Sequence, residues 1–372
     1  MKRFPLFLLF VVFSLACSLL SSPSGGGAGG EKTPAVPSQT AETHAAPSQT
    51  AETAATLTMP APVSPIPATQ SPPRSGKCGD GIWDAIEQAN PSLCPQDAPT
   101  QAGTPSAPQS TGKKYTVTNP SSGASLAVYV NLPAAAAQSP APALVLVPGG
   151  SGASSSFRKP NGEFDAFAQA GYAVIVFDPD GRGQSAGTED YNGFIQQDGL
   201  AAVIEFAATL PRVDPARIGL VTYSYGITMG AGALARHPDL PVAFLIDWEG
   251  PANRNDTGGC DAGSLGHLQD VASCTDEAFW AQREASTFIS QIRVPYQRIQ
   301  SEKDHVQPDN THAILMVNNA VNGGVPWVRL NDYPPNQTYD PANPPAMLSE
   351  NESKALPALV LKYVRQMFEL EN

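Results

Sequence analysis

The chain has 372 residues and a formal net charge of −12, so it lacks the basic surface that nucleic-acid binding requires. Only 15% of its residues are charged and 37 are prolines, which excludes a single uniformly packed domain over the whole length.

The chain opens with MKRFPLFLLFVVFSLAC: Lys2 and Arg3 precede an apolar run from Phe4 to Ala16 that is too short to span a bilayer. That pattern predicts export. With Ser14-Leu15-Ala16 directly before Cys17, the segment is similar to a bacterial lipoprotein signal over residues 1–17. The similarity implies a lipid on Cys17 and anchoring to the outer face of a bacterial membrane or cell surface; an ordinary cleaved signal peptide is the alternative. Without Cys17, four cysteines remain, and their local spacing in an oxidising compartment predicts disulfides Cys78–Cys94 and Cys260–Cys274.

Residues 18–76 are dominated by Ser, Thr, Pro, Ala and Gly and repeat VPSQTAETHA as APSQTAETAA. Such a stretch cannot offset the entropy of ordering, so a disordered tether is expected. Residues 77–98 form an acidic module bracketed by Cys78 and Cys94, with Asp80, Asp84, Glu87 and Asp97 spaced through it. It is similar to short cysteine-bracketed modules of bacterial surface proteins that bind calcium, but Trp83 and Ala98 stand where those have two more cysteines. A disulfide-held spacer is the first reading, and calcium on the carboxylates is the second.

From Lys113 to the end the pattern is that of a compact domain. KYTVTNP and ASLAVYVNLP alternate with period two and predict an antiparallel hairpin. The apolar runs APALVLVPGG and YAVIVFDPDGRGQS predict buried parallel strands, with a helix over EFDAFAQAG between them. A second helix over IQQDGLAAVIEFAATLPRVDP leads into the strand RIGLVTYS. Further strands are expected at Val242–Asp247, Tyr296–Gln300 and Trp327–Asn331, and a last helix over ALPALVLKYVRQMFEL. Between them, residues 250–292 hold no strand pattern and are expected to form a small disulfide-containing lid. The alternation of strands and helices predicts an α/β domain with a mostly parallel, doubly wound sheet.

Four stretches then occur in a telling order: VPGGSG at 147–152, DPDGRGQS after the fourth strand, TYSYG at 222–226 and SEKDHV at 301–306. Together they resemble the landmarks of the α/β-hydrolase superfamily over residues 113–372, including its serine esterases, dienelactone hydrolases and prolyl-oligopeptidase-like members. The resemblance implies an α/β-hydrolase fold in which Ser224 is the nucleophile on a strand-to-helix elbow, with Thr222 in place of the usual glycine. It places oxyanion donors at the amides of Tyr225 and of Gly150 or Ser151, and a catalytic acid at Asp304. Asp247 and Glu249, after the preceding strand, are alternative acids.

The loop after the last strand, VRLNDYPPNQTYDPANPP, contains no histidine, although the family carries its base there. Among the histidines of the domain, His237 ends the helix after the elbow and is read as structural, and His267 lies within the lid. His305 is the first candidate base and His312 the second, since both follow the acid strand. If His305 is the base, Glu249 or Asp247 is a suitable partner, because neighbours on an extended chain point to opposite faces.

Two functions fit these residues. The first is a serine hydrolase, carboxylesterase-like before peptidase-like, acting as a monomer on a small-molecule ester or peptide with no required cofactor or metal. The second is a binding protein that kept the fold and lost the base, using a pocket walled by Tyr225, Trp248 and Trp280. The lipid anchor has a direct check. Cys17→Ala should abolish incorporation of radiolabelled fatty acid and release the protein from the membrane fraction.

Overall fold

The computed structural model describes residues 112–258, 260, 268–353 and 355–370. The export signal with Cys17, the tether, the acidic module with its Cys78–Cys94 pair, and His267 lie outside the described residues.

The described chain forms one eight-stranded sheet with strand order β1-β2-β4-β3-β5-β6-β7-β8. The hairpin β1 (Lys113–Thr118) and β2 (Ser125–Asn131) pairs antiparallel from Lys113↔Val130 to Thr118↔Ser125, as the period-two pattern predicts. Strands β3 (Ala141–Val147), β4 (Ala173–Phe177), β5 (Val213–Tyr223), β6 (Phe244–Trp248), β7 (Tyr296–Ile299) and β8 (Val328–Leu330) run parallel to one another. Their near-continuous apolar runs follow from burial on both faces. β4 lacks any polar residue, and each of its residues is buried.

Two separate apolar layers cover the sheet. On one face α1 (Glu163–Gln169) and a C-terminal helix (Leu356–Glu369) bring Phe164, Phe167, Tyr363 and Met367 against Leu144, Leu146, Val176 and Phe244. On the other, α2 (Phe194–Thr209), α3 (Gly226–Arg236) and α4 (Thr311–Asn322) bring Leu200, Ile204, Ile227 and Val317 against Val145, Ile175, Leu220 and Leu245. The C-terminal helix is α5.

The strand order positions the site. From β3 the chain crosses through α1 to β4 on one side, then through α2 to β5 on the opposite side of β3. The carboxyl ends of β3 and β5 therefore leave the sheet in diverging directions, which opens a crevice there. Gly149–Gly152 and Ser224 occupy those two ends.

The described residues of 250–292 form only short helical turns and include the predicted disulfide, Cys260–Cys274, with Cα atoms 5.6 Å apart. Much of this segment is core rather than cover. Ala285, Phe288 and Ile289 belong to the layer that holds α3. Trp280, expected to wall a pocket, is fully buried and donates its indole N–H to the Ser273 carbonyl at 2.9 Å. No described helix is long and apolar enough to cross a membrane.

Thr222, which replaces the small residue usual before the elbow, fits because Gly230 stands opposite. A Cβ at Gly230 would lie 2.4 Å from the Thr222 methyl and no closer than 3.6 Å to any other atom outside its own helix backbone and chain neighbours. Gly230→Ala should therefore destabilise the protein by roughly 1–3 kcal/mol through overpacking. Adding Thr222→Ser, which removes that methyl, should recover most of the loss, and urea unfolding of the two variants checks it.

Candidate active site

Ser224 is the first residue past β5 and has φ +51°, the left-handed region that a non-glycine residue enters only under constraint. The constraint is visible on both sides. Its amide donates to the Trp248 carbonyl at 2.8 Å, and its carbonyl accepts from Ile227 in the first turn of α3. Close approach requires small neighbours: a Cβ at Gly149 would fall 2.9 Å from Ser224 Cβ, and one at Gly226 would fall 2.6 Å from the Pro148 carbonyl oxygen. The loop after β3 thus touches the elbow directly.

The structure brings Ser224, His305 and Glu249 together. His305 Nε2 is 2.9 Å from Ser224 Oγ, and His305 Nδ1 is 2.8 Å from Glu249 Oε2. A carboxylate on Nδ1 places the imidazole proton there, so Nε2 is the atom left to accept from the serine hydroxyl. The His305 amide also donates to Glu249 Oε2, at 3.1 Å, and Ser301 donates both its amide and its hydroxyl to Oε1. Burial alone would raise the Glu249 carboxyl, but these donors outweigh it and hold the group below the ordinary glutamate range. Trp248 stacks on the imidazole, with ring centroids 4.5 Å apart and planes at 23°, and fixes its tilt.

The carboxylate hydrogen-bonded to His305 Nδ1 is therefore Glu249, the alternative, and not Asp304. Asp304 was placed on the histidine by its position after β7, yet its Oδ1 lies 3.5 Å from His305 Nδ1 and accepts the Val306 and Gln307 amides at 2.8 Å each. Its Oδ2 accepts from Gln300 at 2.9 Å. Glu249, the alternative after β6, takes Nδ1 because its own left-handed backbone, φ +46°, turns it back across the end of β7. Asp247 is excluded by direction: it is fully buried and paired with Arg298 at 2.5 Å, with Tyr296 donating at 3.0 Å. Burial opposes the Arg298 charge, but Asp247 more than offsets this and keeps the guanidinium protonated.

His312 is likewise not a base for Ser224. It sits buried on α4 with Nε2 at 3.1 Å from Arg298 Nη2 and 3.3 Å from Asp304 Oδ2. His237 pairs with Asp198 at 2.7 Å at the end of α3, as a structural residue would.

A second group of residues was not anticipated. Arg182, in the turn after β4, is buried and makes a two-pronged ion pair with Glu189 at 2.6 Å. Its Nη1 donates to the carbonyls of Gly150 and Gly152 at 3.2 and 3.4 Å. Its Nη2 donates to Asn192, which in turn donates to the Tyr225 carbonyl at 2.8 Å. One guanidinium thereby ties the glycine loop, φ +53° at Gly150, to the residue following Ser224. Among the described residues the amides of Gly150 and Tyr225 have no protein acceptor. The Tyr225 phenol, which burial keeps protonated, donates to the Tyr191 carbonyl at 2.8 Å and closes this buckle. The Asn192-Gly193 pair was the available turn signal, and the left-handed φ of Tyr191 and Asn192 is its consequence.

Glu249, Asp304 and His305 are also the described group whose metal-type ligand atoms lie within 4.8 Å of one another. Nδ1 is already bonded to Glu249, so the cluster is described by hydrogen bonds.

A profile of the family described as the alpha/beta hydrolase fold matches residues 142–242, from β3 through α3. The chain has the α/β-hydrolase fold. No curated protein sequence matches it. Among solved structures, the Pyrococcus horikoshii acylaminoacyl peptidase aligns at TM-score 0.50 and 15% identity, over 70% of this chain and 41% of that one. Porphyromonas gingivalis dipeptidyl peptidase 4 aligns at TM-score 0.51 and 17% identity, over 70% and 36%. A Mycobacterium tuberculosis puromycin-hydrolyzing peptidase aligns at TM-score 0.50 and 18% identity, over 59% and 36%. The chain therefore spans about two fifths of the length of such peptidases.

The buried His312 makes a pH prediction. Burial, with the nearby Arg298 charge, lowers its pKa to about 3, against about 6.5 in an unfolded chain. Between those values the unfolded chain binds a proton that the native state does not, so His312 contributes stability above pH ~6.5 that is lost as pH falls toward ~3. His312→Gln should flatten the pH dependence of the urea midpoint across that window by about one proton, whatever it does to absolute stability.

Proposed function

We propose that the protein is a serine hydrolase that works through an acyl-enzyme. The observation carrying this reading is the continuous hydrogen-bonded line Ser224 Oγ, His305, Glu249 beside a glycine loop. Ser224 Oγ attacks the substrate carbonyl carbon as its proton passes to His305 Nε2, and the carbonyl oxygen takes the negative charge between the amides of Gly150 and Tyr225. The imidazolium is stabilised by Glu249 through Nδ1. Its Nε2 proton then goes to the leaving alkoxide or amine, and water repeats the sequence to release the acid and restore Ser224.

Esters and short peptides are the substrate classes proposed. The open choice between them follows from the site, which contains acyl-transfer groups and no feature that demands an ester. Solved neighbours whose titles name peptidases add peptides to the panel. The competing reading, a binding protein without a base, was motivated by the missing histidine after β8, and that motive disappears with His305 at 2.9 Å from Ser224. We also propose that the domain acts outside the cell, tethered through Cys17.

A fluorophosphonate probe should label the wild-type protein and not Ser224→Ala between about pH 6 and 9. Turnover of p-nitrophenyl esters should fall by about three orders of magnitude in Ser224→Ala and by about two or more in His305→Gln. Labelling that does not depend on Ser224 would overturn the assignment.

A further inference from the structure

His305 faces two buried carboxylates, not one. Glu249 reaches Nδ1 from the end of β6 at 2.8 Å, and Asp304 approaches the same atom from the end of β7 at 3.5 Å. Their side chains are each only 1% exposed. The two lie within a group whose ligand atoms are all within 4.8 Å of one another, so in the neutral-imidazole state like charges sit close together in a low-dielectric setting. Asp304 is held in that place by donors on its other sides: the Val306 and Gln307 amides and Gln300. The charged groups around the imidazole are thus Glu249 and Asp304 directly, with the Arg298–Asp247 pair and the neutral His312, which accepts from Arg298, behind Asp304.

We propose that Asp304 is a second carboxylate partner of His305, a positioning residue that stabilises the imidazolium together with Glu249 and takes over Nδ1 when Glu249 is neutralised. This deepens the serine-hydrolase reading and rests on it. The physical reason is differential. The repulsion between the two carboxylates is the same before and during reaction, whereas each attracts the positive charge that develops on the imidazole in the transition state, so two carboxylates favour that state over the ground state more than one does. The step moves only the Ser224 proton to Nε2; neither carboxylate takes up a proton.

A double-mutant cycle on the full chain, with p-nitrophenyl butyrate as substrate, tests the proposal. Asp304→Asn keeps an acceptor for the Val306 and Gln307 amides while removing the charge. In the wild-type background it should lower kcat by about 3–10-fold with KM nearly unchanged, and move the acid limb of kcat/KM to lower pH, because imidazolium loses a stabilising charge. In a Glu249→Gln background the same substitution should cost at least about ten times more than it does in the wild type, since Asp304 is then the only carboxylate left. Asp304→Glu, which keeps the charge, should restore the acid limb. Equal costs in both backgrounds, or an unmoved acid limb in a variant with native unfolding midpoint, would overturn the proposal. If Asp304→Asn does not fold, the kcat of Glu249→Gln alone decides: a loss of less than about tenfold supports Asp304 as the substitute partner, and a fall to the level of His305→Gln refutes it. Absence of Ser224-dependent turnover in the wild type would instead sink the hydrolase reading itself.

Discussion

The arrangement depends on one constraint, the left-handed backbone at Ser224. An L-residue does not take φ +51° by preference, and the turn survives because β5, buried on both faces, and α3, packed into one of the two layers, hold it from either side. Once the turn is imposed, the serine hydroxyl must leave the sheet at the crevice between β3 and β5, and the Tyr225 amide must sit at the start of α3. The glycine loop, the tryptophan carbonyl that holds the Ser224 amide, and the histidine are each placed relative to that one residue.

Much of the frame was legible because its causes are local. Periods of two and near-continuous apolar runs identify β1 to β5, and the helix EFDAFAQ stops near Gly171 as expected. The later strands came out within two residues at either end, since the ends of short strands depend on neighbours and not on composition. Ser224 and His305 could be picked out because each follows a strand that ends at one edge. The acid could not be decided between Asp304 and Glu249, because that choice depends on the left-handed turn at Glu249, and glutamate carries no sequence signal for it. Arg182 and Asn192 were missed for a related reason: besides each other they hold Gly150 and Tyr225, 32 and 33 residues away in the chain, which only the crossover of the sheet brings together.

The position of the histidine has a structural counterpart. The resemblance implies an acid after the seventh strand and a base after the eighth, whereas the carboxylate and imidazole hydrogen-bonded in line with Ser224 come from one strand earlier, Glu249 after β6 and His305 after β7. The loop after β8 is left with a different task. Asn331 exchanges hydrogen bonds with the Gln300 backbone at 2.9 Å in both directions, and Leu348 bridges Ser301, the residue that donates to Glu249. The segment that lacks a base therefore buttresses the one that has it.

Ser224 and Glu249 consequently stand at the tips of two adjoining strands, β5 and β6, joined by uninterrupted parallel pairing, and His305, in the loop beyond β7, is tied to Glu249 through its amide and ring. Moving Ser224 or Glu249 along the strand direction means shearing a backbone ladder whose bonds have no water to exchange with. These two residues are mechanically stiff in the sheet plane. Compliance around Ser224 must then come from the glycine loop, which is held through the Arg182 side chain instead of a ladder.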